Sequence, residues 1–257
     1  MAKTNYRWEA RSIDGFLAQL IRYVASGHYF YVTGRIPDRK DVAAVDRKLI
    51  ALYGIAKPRW ARARRRLAGT AGIHYLRHNR FFLLIATHGK HALFTDHATT
   101  IRDIRRQALH IGGYAVRYTY SEREKRWKVF VRLDRETYGN LRAHMLDLAI
   151  RTSHRSPEAL EQEFRQLHWQ PYEPVRQQLT AILKAVNRRR RYAGYPPISP
   201  SALPTMRRIS SVFVEPCSMS SEAARIPETV GTMDAVGKHR SRDKCPMSPR
   251  PSWERAG

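Results

Sequence analysis

The stretch RWARARRRLAG, Arg59 to Gly69, holds five arginines in eleven residues and stops at a glycine. Arginine keeps its charge at any neutral pH, and its planar fork of donors matches the oxygens of a phosphate group. Lys57 stands just upstream, so Lys57, Arg59, Arg62, Arg64, Arg65 and Arg66 form one cationic segment. On a wheel of about 100° per residue with Arg59 at zero, Trp60, Ala63 and Leu67 fall near about 100°, 40° and 80°, while the arginines spread over a broad arc. This spacing predicts an amphipathic basic helix over 58–68, docked through Trp60 and Leu67 and presenting its arginines outward.

Other basic side chains point to the same chemistry. Arg77, Arg80, Arg102, Arg105, Arg106, Arg117, Arg123, Lys125, Arg126 and Lys128 fall in the middle of the chain, and Arg188, Arg189, Arg190 and Arg191 form a late run. Tyr75, Tyr114, Tyr118, Tyr120 and Trp127 are interleaved with the first group, and exposed aromatics on a sheet can stack bases. The 257 residues carry 47 basic and 22 acidic side chains, a formal net charge of +25. With 42% hydrophobic residues a core is affordable, so the chain is not a disordered basic tract. A folded domain of that charge calls for a polyanionic partner.

Catalytic constellations are thin. His74, His78, His88, His91 and His97 lie within 24 residues, and His74 and His78 share parity on a strand. They could form a metal site, or serve a nuclease of the His-hydrophobe-His class with Tyr138 as nucleophile, but the His-x-His pair that defines that class is absent from the chain, and surface or phosphate-contacting histidines are the simpler reading. Asp38, Asp96 and Asp134 sit at strand ends where two-metal chemistry would want carboxylates, but each also suits a turn or a helix cap. There is no phosphate-binding glycine loop, nucleotide fingerprint or Ser/His/Asp signature. The cysteines, Cys217 and Cys245, both lie near the end, which excludes cysteine-based zinc from the body and suits a reducing cytoplasm. The longest apolar run, FFLLIA (81–86), is far short of the ~20 residues that span a bilayer.

The elements that must position these residues read as α+β: an antiparallel sheet of five to six strands with flanking helices. Ser12 caps a helix ending at Gly27, HYFYVTGRI (28–36) is a strand, and Asp41 caps a helix with Val42, Val45, Leu49, Leu52 and Tyr53 inward. After the basic helix come a meander through GIHYLRH, RFFLLIAT and HALF, a short helix over Thr99–Gln107, and a hairpin of GYAVRYTYS and WKVFVRL. Three helices follow, from Asp134, from Ser156-Pro157 and from Pro174, the last ending in the arginine run.

LIALYGIAKPRWARARRRL (49–67) resembles a helix-turn-helix. In that motif a glycine turn is followed by an apolar residue, and the second helix buries residues six and nine after the glycine; here those are Gly54, Ile55, Trp60 and Ala63, with Ile50 departing from the usual alanine. The resemblance implies a second helix lying in the major groove. Beyond about residue 201 periodicity is lost, so 5–201 is expected to be one basic domain and 202–257 a disordered tail. Residues 1–201 hold 38 of the basic and 16 of the acidic side chains, so the charge belongs to the domain. The final CPMSPRPSWERAG resembles the peptide of a translated bacterial intergenic repeat.

The leading expectation is a cytoplasmic DNA-binding protein of a bacterial or mobile-element type, acting through the helix at 58–68 without cofactor or metal. RNA binding through the aromatic, basic sheet is the first alternative. A strand-processing nuclease or transposase-like enzyme is the second.

Overall fold

The computed structural model describes residues 6–209 and 211–214. Ser12 opens α1 (Ile13–Ala25), its Oγ accepting the Gly15 N–H at 3.1 Å, while Phe16, Leu17, Leu20 and Val24 bury one face. β1 (Phe30–Arg35) precedes α2 (Val42–Leu52), capped by the Asp41 carboxylate, and α3 (Arg59–Leu67). The hairpin of β2 (Ile73–His78) and β3 (Phe81–Ala86) turns through Asn79 and Arg80, with Asn79 left-handed at φ 51°. Next come α4 (Ala92–Asp96), β4 (Arg102–Asp103), β5 (Leu109–Ile111), β6 (Tyr114–Ser121) and β7 (Arg126–Leu133). α5 (Arg135–Leu148), α6 (Pro157–Gln166) and α7 (Glu173–Tyr192) complete the elements, capped by Asp134 and Ser156 in the first two cases.

The fold is α+β, and its strands divide into two antiparallel sheets, ordered β2-β3-β1-β4 and β5-β6-β7. The four-stranded sheet is buried on both faces. Tyr31, Leu76, Leu83 and Ile85 join a large core with α1, the second sheet and α5–α7; Val32, Tyr75, Leu84 and Ala86 join a smaller one with Tyr53, Ile55 and Leu93. Double burial is why FFLLIA reads as a continuous apolar run rather than an alternation.

Several local expectations are corrected. HALF is not a strand: it opens α4, with the His91 ring accepting the Leu93 N–H at 3.1 Å. Thr99–Gln107 is not helical; it contains β4 and a turn in which the Asp103 carboxylate accepts the Arg105 N–H at 2.9 Å. Leu52 is exposed, and α2 buries Asp46 instead. The packed chain also runs past 201. Ala202 is buried, Gln170 exchanges hydrogen bonds with the Arg207 backbone, and Phe213 bridges to Ala10. Residues 215–257, including both cysteines and the repeat-like end, lie outside the described residues.

Asp46 is the centre of a buried polar knot. Its carboxylate takes the Arg77 Nε at 2.9 Å, the Tyr75 hydroxyl at 2.6 Å and the Trp8 indole N–H at 2.9 Å. Arg77 is completed by Glu9 at 2.8 Å and the Asn79 carbonyl at 2.6 Å. One anion thus ties the N-terminal segment, α2 and β2 together with its lone pairs satisfied, which is the condition for burying charge at all.

A second buried group lies between α1 and the sheet. The His74 ring stacks on Tyr23 at 4.2 Å and meets His28 at 4.9 Å between centroids. Burial, with added repulsion from His28 and Arg62, lowers the His74 pKa to about 3; burial, with the fields of Arg66 and Arg62, lowers that of His28 to about 4. Both rings are neutral in the folded protein near pH 7.

Two outcomes follow. Asp46→Ala leaves the Tyr75 hydroxyl, the Trp8 N–H and the Arg77 Nε without their shared acceptor, with Arg77 held only by Glu9 and the Asn79 carbonyl, and is expected to cost on the order of 3–5 kcal/mol. Asp38→Ala, which removes an exposed pair with Arg80, is expected to cost under about 1 kcal/mol; urea unfolding compares the two, and equal losses would contradict the knot. Because the unfolded chain takes up protons on His28 and His74 near pH 6.5 while the folded chain refuses them, stability is full above that pH and falls as pH drops toward 4 and 3. Between pH 6.5 and 5, where most carboxylates stay ionised, His28→Asn with His74→Gln should flatten the fall in melting temperature. An unchanged slope would show that these rings do not set it.

Candidate nucleic-acid interface

α3 is helical because alanines and arginines favour it, and it is bounded by Pro58 at its N-cap and by Gly69 at φ 73°. The Gly69 N–H reaches the Arg66 carbonyl at 3.0 Å and the Thr70 N–H reaches that of Arg65 at 2.9 Å, a Schellman closure. α2 ends on the same geometry, with Gly54 at φ 55° and the Ile55 N–H on the Ile50 carbonyl at 3.0 Å. The arginines of the last turn face the negative end of the helix dipole.

The helix pair is therefore present, and Ile55 is buried as the resemblance implies. The second half departs from it. Trp60 is 64% exposed, Leu67 is 90% exposed and Ala63 is exposed, whereas Ala61, Arg62 and Arg65 are half-buried. α3 is rotated about its axis relative to the expected docking. Its inner face meets the Tyr6–Tyr23–His28–His74 group, the Gly54 turn and the bare backbone at Gly72, where long guanidinium stems can lie while their heads stay near water. Lys57, Arg62 and Arg65 line a cleft of about 20 Å³ there, beside Gly54, Gly72 and His91. Arg64 lies over the exposed Trp60 ring at 5.4 Å, and Arg66 is exposed. Arg59 is the first residue of the helix. Among the described residues, none of Lys57, Arg62, Arg64, Arg65 and Arg66 forms a salt bridge.

The remaining candidates separate into fixed and free. Arg77 belongs to the Asp46 knot and is not a surface group. Arg190 is fully buried: it donates to the carbonyls of Pro196 at 2.7 Å, His154 at 2.6 Å and Arg155 at 2.8 Å, stapling the end of α7 to the loop before α6. Both are structural, which corrects their reading as nucleic-acid contacts. Arg80 clamps the loop after β1, holding the carbonyls of Pro37 at 2.7 Å and Asp38 at 3.1 Å. Arg105 pairs with Asp103 at 2.7 Å and lies over the Tyr29 ring at 4.7 Å. Burial alone would raise the Asp103 pKa, but the Arg105 hydrogen bonds carry it below the usual range. Arg106, Arg188, Arg189 and Arg191 are exposed, and Arg188 and Arg191 flank a groove of about 610 Å³ with Lys184. Lys184 lies one helical turn before Arg188, a spacing that places both on one face of α7.

The histidines do not converge. His91 caps α4, His97 meets the Tyr53 hydroxyl at 3.0 Å, His78 meets the Ala10 carbonyl at 3.1 Å, and His88 lies near Phe30. Asp38 and Asp134 do share a cleft of about 710 Å³ with His78, His110, Arg35 and Arg80. Asp38, however, is held by Arg80, and Asp134 accepts the Thr137 N–H at 2.8 Å as the cap of α5. Among the described residues no group of three His, Cys, Asp or Glu side chains is placed to hold a metal ion, and no helix is long and apolar enough to cross a membrane.

A last surface is aromatic. Tyr118 stacks on Trp127 at 5.5 Å and on Tyr29 at 5.0 Å, and Tyr120 meets Trp127 edge-on at 6.1 Å. Sequence reading picked out Tyr118, Tyr120 and Trp127 but not Tyr29, whose place beside them depends on the packing of one sheet against the other. Against this geometry, comparison with known proteins adds no relative: no family model and no curated protein matches the chain.

Proposed function

We propose that this protein binds DNA through α3, gripping phosphates rather than reading base edges. The observation that carries the reading is the set of arginines on this one short helix, Arg62, Arg64, Arg65 and Arg66, which have no carboxylate partner among the described residues in a chain of net charge +25. In the middle region Arg77, Arg80, Arg105, Arg123 and Arg126 are matched to carboxylates, and the unmatched Arg102, Arg106 and Arg117 are not gathered on one helix. Unmatched guanidinium groups at this density repel one another, and a phosphate backbone relieves that repulsion while releasing counterions. The rotation of α3 supports the phosphate reading over a groove-reading helix, because Trp60 and Ala63, the second-helix positions that a helix-turn-helix buries, are exposed.

The double variant Arg64→Gln with Arg66→Gln is expected to leave the melting temperature within a degree or two, since exposed charges contribute little to stability. Binding to duplex DNA should weaken on all sequences alike, and the log–log salt slope, expected to be steeper than about −5 in the native protein, should become shallower by about one per lost contact. Unchanged affinity and slope would remove α3 from the interface, and a loss confined to one sequence would restore base readout.

The exposure of Trp60 gives an independent check on how α3 is seated. Trp60→Ala is expected to cost less than about 1 kcal/mol, as surface substitutions do, rather than the ~3–5 kcal/mol of a buried aromatic. A drop in stability of the larger size would place the Trp60 face inward.

A further inference from the structure

The aromatic surface on the two sheets starts at the edge of the core, where Tyr29 and Tyr118 are partly buried, and ends in the exposed rings of Tyr120 and Trp127. β6 and β7 run beyond the core, so the face that buries Val116 and Val131 carries the half-buried Tyr118 and then the exposed Tyr120 and Trp127 farther along the hairpin. Trp127 is 52% exposed and Tyr120 39% exposed. The rings are ordered: Trp127, Tyr118 and Tyr29 stack in succession at 5.5 and 5.0 Å, and the Arg105 guanidinium continues the file over Tyr29 at 4.7 Å. The file crosses from the three-stranded sheet to the four-stranded sheet, and Trp127 ends it. At the opposite end Arg117 lies against the Arg105 backbone, and Arg102 and Arg106 flank Asp103. Arg102, Arg106 and Arg117 are exposed and form no salt bridge among the described residues.

We infer that this file takes the bases of an unpaired nucleic-acid strand, with a base stacking on Trp127 as the next member of the pile and Arg102, Arg106 and Arg117 meeting the phosphates. The inference rests on the nucleic-acid reading above but names a different surface and a different form of the ligand. The chemistry selects it in two ways. A pile of aromatic rings ending in an exposed indole offers a π-face, and only unpaired bases offer theirs in return; the faces of a duplex are occupied by neighbouring bases. The unmatched arginines beside the pile require an anion, which an apolar peptide would not supply. Ordering the rings before binding also lowers the entropy lost when a base joins them.

The test uses the full-length protein and fluorescence anisotropy at one fixed salt concentration. The probes are an oligothymidylate and an oligouridylate of about twenty nucleotides, within the reach of such platforms, an abasic strand of the same length, and a duplex of the same length. Trp127→Ala is expected to weaken binding to the base-bearing strands by about fivefold to a hundredfold, the loss of one stacked base, while moving duplex and abasic binding by less than about twofold. Trp127→Phe should retain most of the affinity. Should Trp127→Ala lower the melting temperature, Trp127→Phe and Tyr120→Ala carry the comparison. Arg64→Gln with Arg66→Gln should show the opposite pattern, losing duplex more than strand. Equal binding of abasic and base-bearing strands overturns the inference, as does indifference of strand binding to both Trp127→Ala and Tyr120→Ala. So does Trp127-dependent binding to anionic vesicles with strand binding intact. Failure of the native protein to bind any of the four probes would instead remove the nucleic-acid reading itself.

Discussion

The buried carboxylate of Asp46 is the constraint on which the basic surface depends. Leu49 and Ile50 of α2 are only partly buried against the smaller core, and Trp60 and Leu67 of α3 are exposed, so apolar burial alone seats this pair weakly. Asp46 is the one buried residue of α2, and through Arg77, Tyr75 and Trp8 it joins that helix to β2 and to the N-terminal segment. The closures at Gly54 and Gly69 then fix where α3 can lie.

The chain's excess of positive charge explains how α3 is oriented. A helix with Trp60 and Leu67 on one side and arginines on the other is normally seated by its apolar side. Here the surface beneath it is made of two neutral histidines, tyrosines and bare glycine backbone, onto which arginine stems pack without demanding a carboxylate. The histidines can remain uncharged because burial and the arginines above them both resist protonation. Arginine layer and neutral ring layer are therefore mutually dependent.

Much of the fold was legible where local chemistry is self-sufficient. Ser12, Asp41, Asp134 and Ser156 cap the helices read from them, and the Asn79-Arg80 and Glu122–Arg126 turns close the hairpins read around them. What failed depended on partners far along the chain. HALF has strand-forming residues, yet His91 supplies a helix cap; Thr99–Gln107 has helical spacing, yet pairing of Arg102 with Tyr31 draws it into the sheet. Arg77 and Arg190 look like every other arginine until Asp46, Glu9 and three carbonyls surround them. Of the candidate site, the clustering on α3 was visible in the residue types, but which of its faces meets solvent was not, because that is decided by Tyr23, His28 and His74 on other elements.

The bridge between Ala10 and Phe213, with the Arg11 N–H on the Val212 carbonyl at 3.0 Å and the Val214 N–H on the Glu9 carbonyl at 2.9 Å, joins segments some two hundred residues apart. During synthesis the N-terminal segment emerges early, and this partner emerges only after every helix and strand of the body. The segment from Trp8 to Arg11, which also brings Glu9 to Arg77, is thus without its outer neighbour for most of translation. Contacts of such sequence separation are slow to form. Completion of the body is consequently a late, topologically long-range event, and for that interval the growing chain, with its arginines already made, is free to meet polyanions before its edge is closed.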